Sequence, residues 1–130
     1  MRAETVTVVL DAPREKVFDY LAEIDNLPDW ADEFARELRR EGADYKVVNN
    51  LGEFFFEIRA ERSSGVIDMF AGPTKSEMAV FPTRAIDLPG GRTAYSFTMF
   101  QGPEMPDELF ESQHASLQRE LENVREHFSD

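Results

Sequence analysis

Thr5-Val6-Thr7-Val8-Val9-Leu10-Asp11-Ala12-Pro13-Arg14-Glu15-Lys16-Val17-Phe18-Asp19-Tyr20-Leu21 decides the fold. Its first half is a β-branched run, the composition of a strand. Asp11-Ala12-Pro13 stops that strand. Pro13 suits the first position of a helix, where its missing N–H costs nothing. Val17, Phe18, Leu21 and Ile24 then recur at helical spacing and form one apolar stripe. Asn26-Leu27-Pro28-Asp29-Trp30 opens a second short helix, with Trp30 and Phe34 four apart on one face.

Downstream, the chain reads as strands separated by turn signals. Strands are expected over 35–40 and 43–49 around Glu41-Gly42, and over 53–61 after Asn50-Leu51-Gly52. In the 53–61 strand Phe54, Phe56, Ile58 and Ala60 alternate with Glu53, Glu57, Arg59 and Glu61, the pattern of a half-buried antiparallel strand. Ser63-Ser64-Gly65 leads into a strand over 66–71, which Gly72-Pro73 is expected to break. Strands over 77–87 and 92–101 flank Leu88-Pro89-Gly90-Gly91, and Pro82 inside the first marks an edge or a bulge.

The last segment is one long helix. Pro106, Asp107 and Glu108 form a favourable first turn, with acids at the positive end of the dipole. Phe110, His114, Leu117, Leu121, Val124 and Phe128 repeat at three- and four-residue steps. Over about 22 residues the helix spans roughly 33 Å. No second helix of that length exists to pair with it, so its stripe must face the sheet. The expected class is α+β: a curved antiparallel sheet of about seven strands wrapped on the C-terminal helix, with an apolar hollow between them.

Composition narrows the partners. With 130 residues, one domain over 1–130 is expected. Apolar residues make up 42%, and Phe occurs 11 times, so large rings must line something. The formal net charge is −12, which disfavours nucleic acid and anionic membrane surfaces as partners and favours solubility. There is no Cys, which removes disulfides, thiolate nucleophiles and Cys-metal sites and fits a cytoplasmic protein. No signal peptide or membrane span is read. Two His and no His-rich motif make a transition-metal site a poor expectation. No Gly-rich phosphate loop and no Gly-x-Ser-x-Gly elbow occurs, and no cofactor is expected.

The order of elements, strand, two short helices, six or so strands, long helix, resembles the START/Bet v 1-like (SRPBCC) superfamily, the helix-grip fold. Val9-Leu10-Asp11-Ala12-Pro13 through Val17-Phe18-Asp19-Tyr20-Leu21 is similar to its opening pattern, and Asn26-Leu27-Pro28-Asp29-Trp30 to its second helix. Gly65-Val66-Ile67-Asp68, Phe81-Pro82-Thr83-Arg84 and Phe97-Thr98-Met99-Phe100 resemble strands of its bacterial polyketide cyclase/dehydrase-like branch. The resemblance implies a deep apolar cavity between sheet and C-terminal helix. It does not choose among carriers, receptors, cyclases and chaperone co-activators.

Candidate ligand-binding residues follow from the expected faces. Phe56, Met69, Tyr95 and Phe97 point inward from strands, and Phe110 and Leu117 face them from the helix; ordinary core packing is the alternative for each. A buried Tyr95 hydroxyl needs a partner, which a ligand oxygen can be. His114, on the helical stripe beside Gln113, is a candidate for a polar ligand group or for proton transfer; a histidine at the stripe's edge is the alternative. Trp30 is placed near the cavity mouth, with burial against the sheet as the alternative. Asp68 and Arg84 read as outward-facing charges, although the strand of Arg84 is not oriented by its pattern and an inward Arg84 that anchors a carboxylate is the alternative. No catalytic residue and no metal ligand is assigned.

Three functions fit these residues. The first is reversible binding of a small hydrophobic or aromatic molecule. The second is a cyclase or aromatase, which requires an ionisable side chain in the cavity. The third is a protein-interaction module, monomer or homodimer, for which Phe55 on an outer strand face is the cue.

Overall fold

A computed structural model describes residues 1–129. The elements run β1 (Ala3–Leu10), α1 (Arg14–Leu21), a 3₁₀ turn (Ile24–Asn26), α2 (Leu27–Trp30), then β2 (Glu37–Glu41), β3 (Asp44–Asn49), β4 (Gly52–Glu61), β5 (Val66–Thr74), β6 (Glu77–Phe81), β7 (Thr83–Leu88), β8 (Arg92–Phe100) and α3 (Asp107–His127). All eight strands join one antiparallel sheet in the order β1-β8-β7-β5-β4-β3-β2, with β6 on β5. This is the helix-grip arrangement of an α+β protein.

The β-branched opening run becomes the edge strand β1, paired with β8 along its whole length, from Ala3↔Phe100 to Leu10↔Thr93. Register puts Val6 opposite Phe97 and Val8 opposite Tyr95 on the inner face. Phe56 stands opposite Ala71, and Met69 opposite Ile58 and Phe81. Asp68 pairs with Arg59 on the outer face, and Arg84 is exposed between buried Thr83 and Ala85. Both charges therefore point outward, as the alternation requires.

The stripe of α3 is buried at Phe110, Leu117, Leu121 and Val124, and it packs along β1. Helix α1 packs on β7 and β8 through Val17, Phe18 and Leu21 and closes the opposite end. Burying residues such as Leu121 and Val124 fully contributes about 1.5–3 kcal/mol each.

Four local expectations are corrected. First, α2 ends at Trp30, so Phe34 is not on it. The N–H groups of Glu33 and Phe34 donate to the Glu120 carboxylate instead of to helical carbonyls. The next strand accordingly starts at Glu37 rather than 35. Second, Gly72-Pro73 does not end its strand: β5 runs to Thr74 through a register shift. Gly72 allows this because a Cβ there lies 1.9 Å from the Glu77 carbonyl oxygen; only glycine admits that approach. Third, the single strand over 77–87 is two. Pro82 separates β6, which pairs with β5, from β7, which pairs with β8. Pro82 lacks an N–H for the ladder but its carbonyl accepts the Thr98 N–H at 2.9 Å. Fourth, the periodicity of α1 stops at Leu21 rather than at Ile24, which begins the 3₁₀ turn.

Candidate functional site

The sheet and α3 do not touch everywhere. Between them lies a cavity of about 310 Å³. Its floor is Phe56, Met69, Phe81, Phe97 and Met99 from the sheet. Leu27, Trp30 and Phe34 form one side, and Leu109, Gln113, Ser116, Leu117 and Glu120 of α3 form the roof. It reaches the surface beside Arg36, Asn50, Leu51 and Ser112, which are exposed.

The rings support one another, Trp30 and Phe97 edge to face and the other two pairs tilted. Trp30 and Phe97 centroids are 6.4 Å apart, Phe81 and Phe97 5.9 Å, and Phe34 and Phe56 5.8 Å. Tilted contacts of this kind fix ring positions without filling the space beyond them. Trp30 is held from the other side, where Asn123 of α3 donates to its carbonyl at 3.0 Å.

Of the residues expected at a ligand, Trp30, Phe56, Met69, Phe97, Gln113 and Leu117 line the cavity. Tyr95, Phe110 and His114 do not, and the reasons are geometric. Tyr95 does point inward, but it is fully buried between Val8 and Ala85, two residues before Phe97, and does not border the cavity. Phe110 faces β1, where the Arg2 guanidinium sits 5.0 Å over its ring. His114 lies about 100° round α3 from Gln113. That turns it to β1, with Nε2 3.8 Å from the Glu4 carboxylate and its side chain 26% exposed.

The Tyr95 hydroxyl finds no hydrogen-bond partner among the described residues. Thr83 beside it gives its own proton to the Ile67 carbonyl at 2.6 Å. Burial raises the Tyr95 pKa well above the tyrosine range, and the Thr83 hydroxyl opposes this only in part.

Glu33 and Asn49 on the cavity wall have their polar atoms engaged. Glu33 takes two hydrogen bonds from Arg119, at 2.7 and 2.8 Å, and one from Ser116 at 2.6 Å. These partners pull its pKa down to about 2. Asn49 donates to the Phe34 carbonyl and accepts from the Leu51 N–H. Glu120 differs. It is 4% exposed, and its Oε2 accepts the N–H groups of Phe34 and Glu33 at 2.9 and 3.1 Å. Burial pushes its pKa up to about 7, against those two hydrogen bonds and helped by the Glu33 and Asp32 carboxylates.

Glu120 was not among the residues expected from the sequence, nor were Leu27, Phe81, Met99 and Leu109. A signal for it existed: Gln113, Leu117 and Glu120 follow the i, i+4, i+7 line of a helix face. Among the described residues no cluster of His and acidic side chains has the arrangement of a metal site. No helix among them is long and apolar enough to cross a membrane.

No family profile and no curated protein matches this sequence. Solved structures do match in shape. The Aha1 dimer from Colwellia psychrerythraea superposes with a TM-score of 0.72 at 15% identity, over 98% of this chain and 96% of that one. The Zhui aromatase/cyclase from Streptomyces sp. R1128 gives 0.65 at 20% identity, over 96% and 89%. A START superfamily protein from Mycobacterium smegmatis gives 0.65 at 14%, over 98% and 99%. At such identities the likeness establishes architecture alone. On that architecture, the chain has the helix-grip fold that the START superfamily protein and the aromatase/cyclase share.

Proposed function

We propose that this protein is a single cytoplasmic domain over 1–130 that reversibly binds a small hydrophobic or aromatic molecule in the cavity beneath α3. One observation carries the reading: about 310 Å³ of space, floored by aromatic and thioether side chains, stands open inside an otherwise packed fold. That volume is at the lower end of the ~300–1,000 Å³ range of ligand sites. Interiors normally close such gaps, because unfilled space forfeits dispersion contacts. Trp30, Phe56, Met69, Phe97 and Leu117 supply apolar surface, at about 25 cal/mol per Å² buried, and Gln113 supplies a polar contact. The START superfamily protein and the aromatase/cyclase share the architecture.

The test is titration with an apolar fluorescent probe, together with native mass spectrometry of protein purified from its host. Leu117→Trp places an indole in the cavity and should abolish probe binding while the fold persists by circular dichroism. Unchanged probe binding in Leu117→Trp removes the reading.

A polyketide cyclase or aromatase-type enzyme is the alternative, favoured by one feature: the buried Glu120 carboxyl, with its pKa near neutrality, in the cavity wall. The interaction-module reading loses its cue. Phe55 is half-buried, with the Lys46 ammonium 4.7 Å over its ring, and is not a bare apolar surface.

A further inference from the structure

We propose that the cavity selects molecules that present an O–H or N–H donor to the Glu120 Oε1 atom, phenols, alcohols or amines in class, and rejects carboxylates. This deepens the binding reading above and rests on it.

The two oxygens of the Glu120 carboxylate are engaged unequally. Oε2 is engaged twice, by the N–H groups of Glu33 and Phe34. Oε1 accepts no hydrogen bond among the described residues. Nor is it sealed away: the Tyr95 hydroxyl is the one unpartnered polar side-chain atom shut off from open space among them. Glu120 lines the cavity and keeps only 4% of its surface in all; on this proposal Oε1, the oxygen left over from the two backbone bonds, stands on the cavity side.

Gln113, half-buried on the wall, can donate or accept and so does not discriminate between the two ligand classes, and other polar neighbours are engaged. Glu33 is saturated by Arg119 and Ser116, and Asn49 by Phe34 and Leu51. Arg36 reaches the same cavity only at its exposed mouth, where water screens it. A buried carboxylate with one unfilled oxygen is costly, and a ligand donor relieves that cost where a second anion adds to it. The two backbone N–H groups hold the carboxylate in place, so the acceptor is fixed in position before a ligand arrives. The same bonds tie α3 to the segment between α2 and β2, which carries Phe34 into the cavity wall.

The probes are naphthalene, 2-naphthol, 2-naphthylmethylamine and 2-naphthoate, which share one apolar body. Binding is measured at pH 8.5 by calorimetry for the wild type and for Glu120→Gln. Gln keeps an oxygen for the two backbone N–H groups and turns an NH₂ donor into the cavity. In the wild type the naphthol and the amine should bind about ten-fold or more tighter than naphthalene, and naphthoate weakest. In Glu120→Gln the amine should lose its advantage and naphthoate should gain about ten-fold. Naphthalene binding as tightly as naphthol, or naphthoate binding best in the wild type, overturns the proposal and leaves the cavity reading standing. Failure of all four probes overturns both. Circular dichroism spectra of wild-type shape exclude misfolding of the variant as the cause of any change, and Glu120→Asp, which withdraws the carboxylate by one methylene, should weaken the naphthol without rescuing naphthoate. Full naphthol affinity in Glu120→Asp also overturns it.

Discussion

Glu120 Oε2 accepts the Phe34 backbone N–H at 2.9 Å, across 86 residues of sequence. This contact ends α2, positions an aromatic wall of the cavity, and places the carboxyl out of bulk water.

Stability should depend on pH through two carboxyls of opposite sign. Glu120 has a folded pKa near 7 against the usual 4.5. An acid raised in this way stabilises the fold most when protonated. Its contribution is complete below about pH 4.5 and is lost as pH rises through about 7. Denaturant unfolding of wild type and Glu120→Gln should therefore diverge over that window. The wild type should lose about 3 kcal/mol relative to the variant between the two limits. Glu33 acts with the opposite sign in a lower window. Its pKa is held near 2, so its stabilisation is present above about pH 4.5 and lost as pH falls through about 2. Glu33 and Arg119 are partly solvated, so Glu33→Gln should cost only about 1 kcal/mol at neutral pH. A wild type that gains on Glu120→Gln as pH rises would show that the carboxyl is not desolvated.

Tyr95→Phe should stabilise the protein by about 1 kcal/mol, because it removes a buried hydroxyl that has no partner. Thermal unfolding at neutral pH reads this directly. A loss of more than 1 kcal/mol would mean that the hydroxyl is hydrogen-bonded in solution. Probe affinity should not change, since Tyr95 lies outside the cavity lining.

His114→Leu should leave both probe binding and stability nearly unchanged, within about 0.5 kcal/mol of wild type. The imidazole faces Glu4 on β1 and contributes nothing to the cavity wall. Phe110→Ala provides the contrast. It should cost about 3–5 kcal/mol, because a fully buried ring leaves a void. A change in probe selectivity in His114→Leu is the result that would return this residue to the site.

Gly72→Ala should destabilise by at least about 2 kcal/mol. Its Cβ falls 1.9 Å from the Glu77 carbonyl oxygen, inside the hairpin between β5 and β6. Gly42→Ala is the control. A Cβ there meets nothing within 4 Å, although φ is +63°, so its cost is the backbone term of about 1 kcal/mol. Equal effects at the two positions would contradict the close approach.

Much of the architecture was legible in the chain because its signals are local. The β-branched run before Pro13 is β1 whatever surrounds it, and the 3.6-residue spacing of Phe110, Leu117, Leu121 and Val124 makes α3 amphipathic by itself. Alternation likewise placed Phe56, Met69 and Phe97 inward and Asp68 outward. Those patterns, with the absence of a second long helix, determined that a sheet must cover the C-terminal helix.

Packing decided the rest. Periodicity names a helical stripe but not how that stripe divides between two neighbours. Only contact with β1 turned Phe110 and His114 away from the cavity and left Gln113, Leu117 and Glu120 over it. Tyr95 satisfied the alternation and still missed the cavity, because its part of β8 is packed solid, two residues before Phe97. The end of α2 was set by a carboxylate 86 residues away, and the division of β6 from β7 by which neighbour each could pair with. These outcomes depend on distances between segments remote in sequence, where local pattern carries no information.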